Sequence, residues 1–220
     1  MKRSTIFLII IGVILLFGLL DLIYYLSNKP TKEIIFNNAK NLSLDDHIKW
    51  SKDKKIILTE YSDFQCPACK LWGDYFKELE KSKNADFEKI KNKVTFVFRN
   101  FPLTSIHKNA QTAALAAEAA GIQGKFFEMH DALYKNQTKW ADLKEPKIYF
   151  ISLAKELKLD INKFEKDLDS EKVKQKIKKD ISSGTRAQVS STPSFFINGK
   201  SISNLRTTND LIKILLEEIK

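Results

Sequence analysis

Residues 60–69 read EYSDFQCPAC. They close an apolar, β-branched run, so residues 55–62 (KIILTEYS) predict a strand that stops just short of Cys66. Pro67 suits the first position of a helix, and Leu71, Trp72, Tyr75, Phe76 and Leu79 follow at helical spacing as a buried stripe. Two cysteines three residues apart at a helix start have Cα atoms about 5 Å apart, within the range a disulfide needs. Cys66, at the edge of that helix, faces unsatisfied backbone N–H groups and the positive end of the helix dipole, both of which favour thiolate over thiol. A thiolate attacks or leaves in disulfide exchange, so Cys66 is expected to be the reactive sulfur and Cys69 the resolving one.

Beyond this core the pattern alternates and then turns helical. Residues 94–99 (VTFVFR) predict a second strand, limited by Pro102. From 105 to about 184 apolar positions recur every three or four residues, first in the alanine-rich stretch 110–120 that Gly121 would terminate, then over 125–134, 147–157, 161–168 and 171–182. The period changes again at 194–197 (SFFI), a short strand joined through Asn198-Gly199 to a return strand over 200–203, with a last helix from about Thr208. Strand, helix, strand, helical block, hairpin and helix describe an α/β sandwich carrying a helical insertion.

The N-terminus has a different character. Residues 6–26 are apolar except for Asp21, and as a helix they would reach about 31 Å, enough to cross hydrocarbon. Lys2 and Arg3 precede them, which predicts that the remainder lies on the far side of the membrane. A cleaved signal peptide is the rival reading, but Tyr24, Tyr25 and Leu26 are bulky where a peptidase wants small residues, so residues 1–26 are expected to be a retained signal anchor. Residues 27–46, polar and containing Pro30 and several Asn, read as a tether, with a short edge strand at 33–36 as an option.

The 37 Lys and Arg against 27 Asp and Glu give a formal net charge of +10. These lysines are scattered along helix-period segments among acids and accompany no nucleic-acid motif, so a solvated surface is expected and nucleic acid is set aside. Both of the chain's 2 cysteines sit in the one C-x-x-C, so the fold has no disulfide framework. Zinc would have to recruit His47, His107 and His130, whose spacing fits no ligand pattern, and no metal site or cofactor is expected. His107 and His130 read as capping or core residues, Asp63 as a solvated loop residue or a polar group at the helix start, and Phe64, Phe126 and Phe127 mostly as core. Glu60 is open: an outward surface acid or a carboxyl buried beneath the sulfurs.

The segment 60–69 resembles the active site of DsbA-like proteins, in which a strand with an acid six residues ahead leads through an aromatic into C-P-x-C. Phe101-Pro102-Leu103, His107 with the alanine-rich helix, and residues 123–131 (QGKFFEMHD) are similar to that family's helical insertion; residues 192–199 (TPSFFING) are similar to its cis-proline loop and hairpin. The resemblance implies a thioredoxin fold over 47–220 with a helical domain inserted at about 105–184, a cis Thr192–Pro193 bond that sets the Thr192 backbone beside the cysteines, and burial of Glu60 with a raised pKa that suits it to exchange a proton with Cys69. Ala68 and Ser191 depart from the common pattern; the dipeptide Pro67-Ala68 tunes redox potential in such proteins, so the departure at Ala68 leaves oxidising strength open. The implied activity is an extracytoplasmic oxidase that introduces disulfides into exported proteins bearing cysteine thiols and is restored by a separate redox partner. A reductase or isomerase of the same fold, and a tethered non-catalytic chaperone, are the alternatives.

Overall fold

A computed structural model describes residues 3–27, 34–203, 205 and 207–220, the side chains of its first helix being described over 12–25. The contacts divide the chain into two units, Met1–Glu33 and Ile34–Lys220. In the first, helix α1 (Arg3–Ser27) occupies the apolar stretch, and its side chains over residues 12–25 are exposed. Among the described residues no helix is long and apolar enough to cross a membrane. The membrane span therefore stays an expectation of the sequence.

The second unit begins earlier than expected. Residues 34–46 are not a tether: Ile35 bridges to Lys200, the Phe36 N–H donates to the Gly199 carbonyl at 2.8 Å, and the short helix α2 (Asn37–Lys40) buries Ala39 completely. Polarity was misleading here because the polar groups are spent inward. Asp46 pairs with Arg99 at 2.8 Å, and Arg99 also donates to the Asn38 and Asn41 carbonyls. Residues 28–33, the rest of the expected tether, lie outside the described residues.

Next come β1 (His47–Trp50), β2 (Ile56–Ser62), α3 (Pro67–Lys81), α4 (Ala85–Lys93) and β3 (Val94–Asn100). The helical block follows as α5 (Ala110–Ile122), α6 (Phe126–Lys135), α7 (Gln137–Trp140), α8 (Pro146–Glu156), α9 (Ile161–Leu168) and α10 (Glu171–Arg186), and the chain closes with β4 (Ser194–Ile197), β5 (Lys200–Ile202) and α11 (Thr208–Glu218). The strands form one sheet in the order β1-β3-β2-β4-β5. β2 and β3 run parallel, with Glu60 beside Phe98, and the other pairings are antiparallel, with Glu60 beside Phe195 across β4. Four features were not foreseen: α2, β1, α4 and α7. β1 is short and half-buried, and α4 depends on its Asn84 cap, whose side chain accepts from the Asp86 and Phe87 N–H groups.

Both faces of the central strands are covered. Leu58, Phe96, Phe98, Phe195 and Ile197 join α3, α4 and α6 in the main core, while Tyr61 and Phe196 pack with Ala39 and Ala187 on the opposite face. Alternate residues of a strand point to opposite faces, so Leu58, Glu60 and Ser62 share the α3 side. The predicted Asn198-Gly199 turn is present, with positive φ at both residues. Gly199 has no substitute there, since a Cβ would stand 2.6 Å from the Phe36 carbonyl.

Candidate active site

β2 delivers Glu60 and Ser62 to the sheet's edge of the site, residues 63–65 turn, and α3 starts with Cys66 as its N-cap and Pro67 in its first turn. Cys66 keeps 7% of its surface exposed and Cys69 keeps 0%, so an incoming thiol meets Cys66 first. Cys69 is one helical turn deeper, its sulfur 3.4 Å from the Asp63 N–H. Thr192–Pro193 is cis, and the Cys66 thiol donates to the Thr192 carbonyl at 3.3 Å. The cis bond and the Thr192 backbone beside Cys66 are as the sequence resemblance implied.

The two sulfurs occupy opposed electrostatic settings. The Cys66 pKa falls from 9.0 to about 5, chiefly because the Cys69 thiol hydrogen-bonds to it; burial opposes the fall, and the backbone N–H groups of Cys69 and Ala68 add to it. Backbone N–H groups and the helix dipole were the expected causes; the N–H groups contribute, but less than the Cys69 thiol. Burial pushes Cys69 well above the ordinary thiol range, and the neighbouring Cys66 adds to this. Glu60 is 2% exposed, and loss of water raises its carboxyl from 4.5 to about 7, against a lowering hydrogen bond from Ser62. Ser62 donates to Glu60 Oε1 at 2.6 Å and lies 3.0 Å from the Tyr134 hydroxyl.

Of the two expected roles for Asp63, a solvated loop residue or a polar group at the helix start, the second is found: it is buried. Its carboxylate accepts the Gln65 N–H at 2.7 Å, the Leu103 N–H at 2.8 Å and a bond from His107 Nδ1 at 2.8 Å, and its carbonyl accepts the Cys66 N–H at 3.1 Å. His107 thereby acts as a clasp on the loop before the cysteines. The helical block grips the same loop. Gln137 donates to the Phe64 and Cys66 carbonyls at 2.7 and 3.0 Å, and Gln65 accepts the Asn109 N–H at 2.7 Å. Ser62, Tyr134 and Gln137 escaped the sequence reading. Ser62 was within reach of it, two residues from Glu60 on one strand face; Tyr134 and Gln137 arrive from a distant helix and left no signal. His130 is a core residue, buried against Phe64 and Phe98. The three histidines serve three different carboxylates, His47 with Glu118, His107 with Asp63 and His130 with Asp131, and among the described residues no group of three or more metal-binding side chains gathers. A groove of about 390 Å³ runs along α3 beside the cysteines, lined by Pro67, Lys70, Leu71, Asp74, Tyr75 and Thr208 among others.

Comparison with known proteins places this geometry. A sequence model of the family described as Thioredoxin matches residues 46–217. Probable disulfide bond formation protein D of Bacillus cereus is 34% identical over 151 residues, which are 67% of each chain. The Na(+)/H(+) antiporter NhaA 1 of Salinispora arenicola is 36% identical over 157 residues, 70% of this chain and 22% of that protein, so the chain spans about a fifth of the antiporter's length. Among solved structures, oxidised BdbD from Bacillus subtilis superposes with a TM-score of 0.66 at 22% identity, over 86% of this chain and 99% of that one.

Proposed function

The chain belongs to the thioredoxin family, and on that premise we propose that it is a protein disulfide oxidoreductase that works as a dithiol oxidase on exported proteins, held to the outer side of a membrane by residues 6–26. The observation that carries this reading is the split between the sulfurs: Cys66 reachable and acidic at about 5, Cys69 sealed and held above its ordinary value. A substrate thiolate attacks Cys66 of the Cys66–Cys69 disulfide, the substrate–Cys66 bond forms, and Cys69 leaves with the electron pair and takes up a proton. A second substrate thiolate then attacks the substrate's own sulfur and expels Cys66, which leaves easily as a stabilised thiolate. The substrate departs with a disulfide, the enzyme carries both electrons, and a separate acceptor must remove them. The groove beside α3 and the Thr192 backbone supply apolar and hydrogen-bonding surface for an extended chain.

A stable Cys66 thiolate favours the reduced form, which supports an oxidising role over a reducing or isomerising one. Replacing Cys66→Ser in the full chain is expected to abolish oxidation of a reduced, cysteine-bearing protein, and full activity in that variant would defeat the assignment; cellular function kept by a variant without either cysteine would instead point to a non-catalytic chaperone. Equilibration with glutathione is expected to give a potential near about −120 mV, whereas a value near about −270 mV would reverse the direction of electron flow. Membrane retention after an alkaline wash, lost when residues 1–26 are removed, tests the anchor.

A further inference from the structure

We propose that the backbone N–H of Asp63 receives the charge left on Cys69 when the disulfide opens, and that His107 is the positioning residue that keeps this N–H aimed at the sulfur. The proposal deepens, and rests on, the oxidoreductase reading above. The Asp63 N–H donates to the Cys69 sulfur at 3.4 Å in a structure whose two cysteines are free thiols. The donor is thus in place with the Cys66–Cys69 bond open, the arrangement that departure of Cys69 leads to. Cys69 is 0% exposed, so water cannot gather around a sulfur that turns anionic, and a fixed N–H dipole in a dry site does that work instead.

An N–H serves this purpose only if its peptide is held still, and Asp63 is held from several directions. Its carbonyl accepts the Cys66 N–H at 3.1 Å and the Tyr134 hydroxyl at 3.5 Å. Its side chain, wholly buried, accepts the Gln65 N–H on Oδ1, and on Oδ2 both the Leu103 N–H and His107 Nδ1, each at 2.8 Å. The Gln65 bond closes a local turn of the active-site loop. The Leu103 and His107 bonds come from the segment after β3 and tie that turn to the rest of the fold. A carboxylate only accepts, so His107 Nδ1 is the donor in its bond. In the step itself an incoming thiolate sulfur bonds to Cys66 Sγ, the Cys66–Cys69 bond breaks, and its electron pair stays on Cys69 Sγ. The Asp63 hydrogen remains on nitrogen and stabilises that pair, and a stabilised sulfur leaves faster. In the following step Cys66 is the leaving sulfur, so the His107 clasp acts on the first step and not on the second.

The test separates those two steps in the full chain with glutathione at pH 7. The first is mixed-disulfide formation at Cys66 of the oxidised chain, followed by acid quench and mass. The second is release of glutathione from the Cys66 mixed disulfide by added thiol in a Cys69→Ala background, where no Cys69 sulfur exists. His107→Leu is expected to slow the first step by about 10-fold, the equivalent of one hydrogen bond, and to leave the second at its parent rate. His107→Asn, which carries an amide donor in the region of Nδ1, is expected to recover most of the loss. A His107→Leu chain at the parent rate in the first step overturns the proposal. Equal slowing of both steps overturns it too, since a merely loosened loop has no reason to single out the departure of Cys69, and so does a His107→Asn chain as slow as His107→Leu. Should the leucine variant not fold, the Asp63 amide proton resonance of the parent chain serves: it is expected to move downfield from disulfide to mixed disulfide, and an unmoved or upfield resonance overturns the proposal. Absence of any mixed disulfide at Cys66 in the parent chain would instead remove the oxidoreductase reading itself.

Discussion

A carboxyl shut away from water keeps its proton longer, and Glu60 shows the consequence for stability as well as for chemistry. Its pKa rises from 4.5 to about 7 on folding because burial penalises the charged form. Between those pH values the native state binds a proton the unfolded state has lost, so stability falls as pH rises and the penalty is complete above about 7. Glu60→Gln is therefore expected to stabilise the reduced protein by about 3 kcal/mol at pH 8 and by almost nothing at pH 4, measured by urea unfolding. Cys66 has the opposite sign. Its folded pKa lies below its unfolded one, so the reduced protein gains stability as pH climbs from about 5 toward 9.0 and loses it as pH falls through about 5. Iodoacetamide should label Cys66 with a half-maximal rate near pH 5 and leave Cys69 untouched, and a profile centred near 9 would remove the reactive-thiolate argument.

Elements place these residues by contact across the fold. α3 holds its cysteines against β2, and α6 reaches over to set Tyr134 on Ser62. That approach depends on Gly73 in the middle of α3, where a Cβ would come within 2.7 Å of the Tyr134 ring. Ordinarily an alanine would favour a helix interior by about 1 kcal/mol. Here Tyr134 is 1% exposed and hydrogen-bonded, so it cannot move aside. Gly73→Ala is expected to cost about 1–3 kcal/mol net and lower the melting temperature. The helical block's outline was legible, since α9 falls where periodicity put it, and so was β4 after it. Its grip on the active-site loop through Gln137 and Asn109 was not, because hydrogen bonds between distant segments impose no period on a sequence.

Across the molecule, the largest departure is the N-terminal segment of the folded unit. Asp46 and Arg99 are 1% and 4% exposed in their side chains, and the pair fastens residues 34–46 to β3. Removing one partner leaves a buried, uncompensated charge, so Asp46→Ala is expected to destabilise the full chain by about 3–5 kcal/mol, read as a lower urea midpoint. The same substitution on a tether would have been silent. The net charge of +10 is carried without a basic groove motif, and lysines such as Lys147, Lys163 and Lys174 pair with nearby acids on the surface.

Local chemistry made much of this protein readable from its residues. The C-x-x-C at a strand-to-helix junction, Pro67 at the helix start, the Asn198-Gly199 turn and the long helical block all follow from short-range rules of backbone geometry and spacing. Glu60 lay beyond those rules, because a strand covered on both faces buries every residue and its alternation says nothing about exposure. Asp63, Tyr134, Gln137 and Asp46 lay further still. Their roles come from groups brought together across tens of residues, where burial without water turns a single hydrogen bond or charge pair into a requirement, and that exclusion of water exists only once the chain has folded.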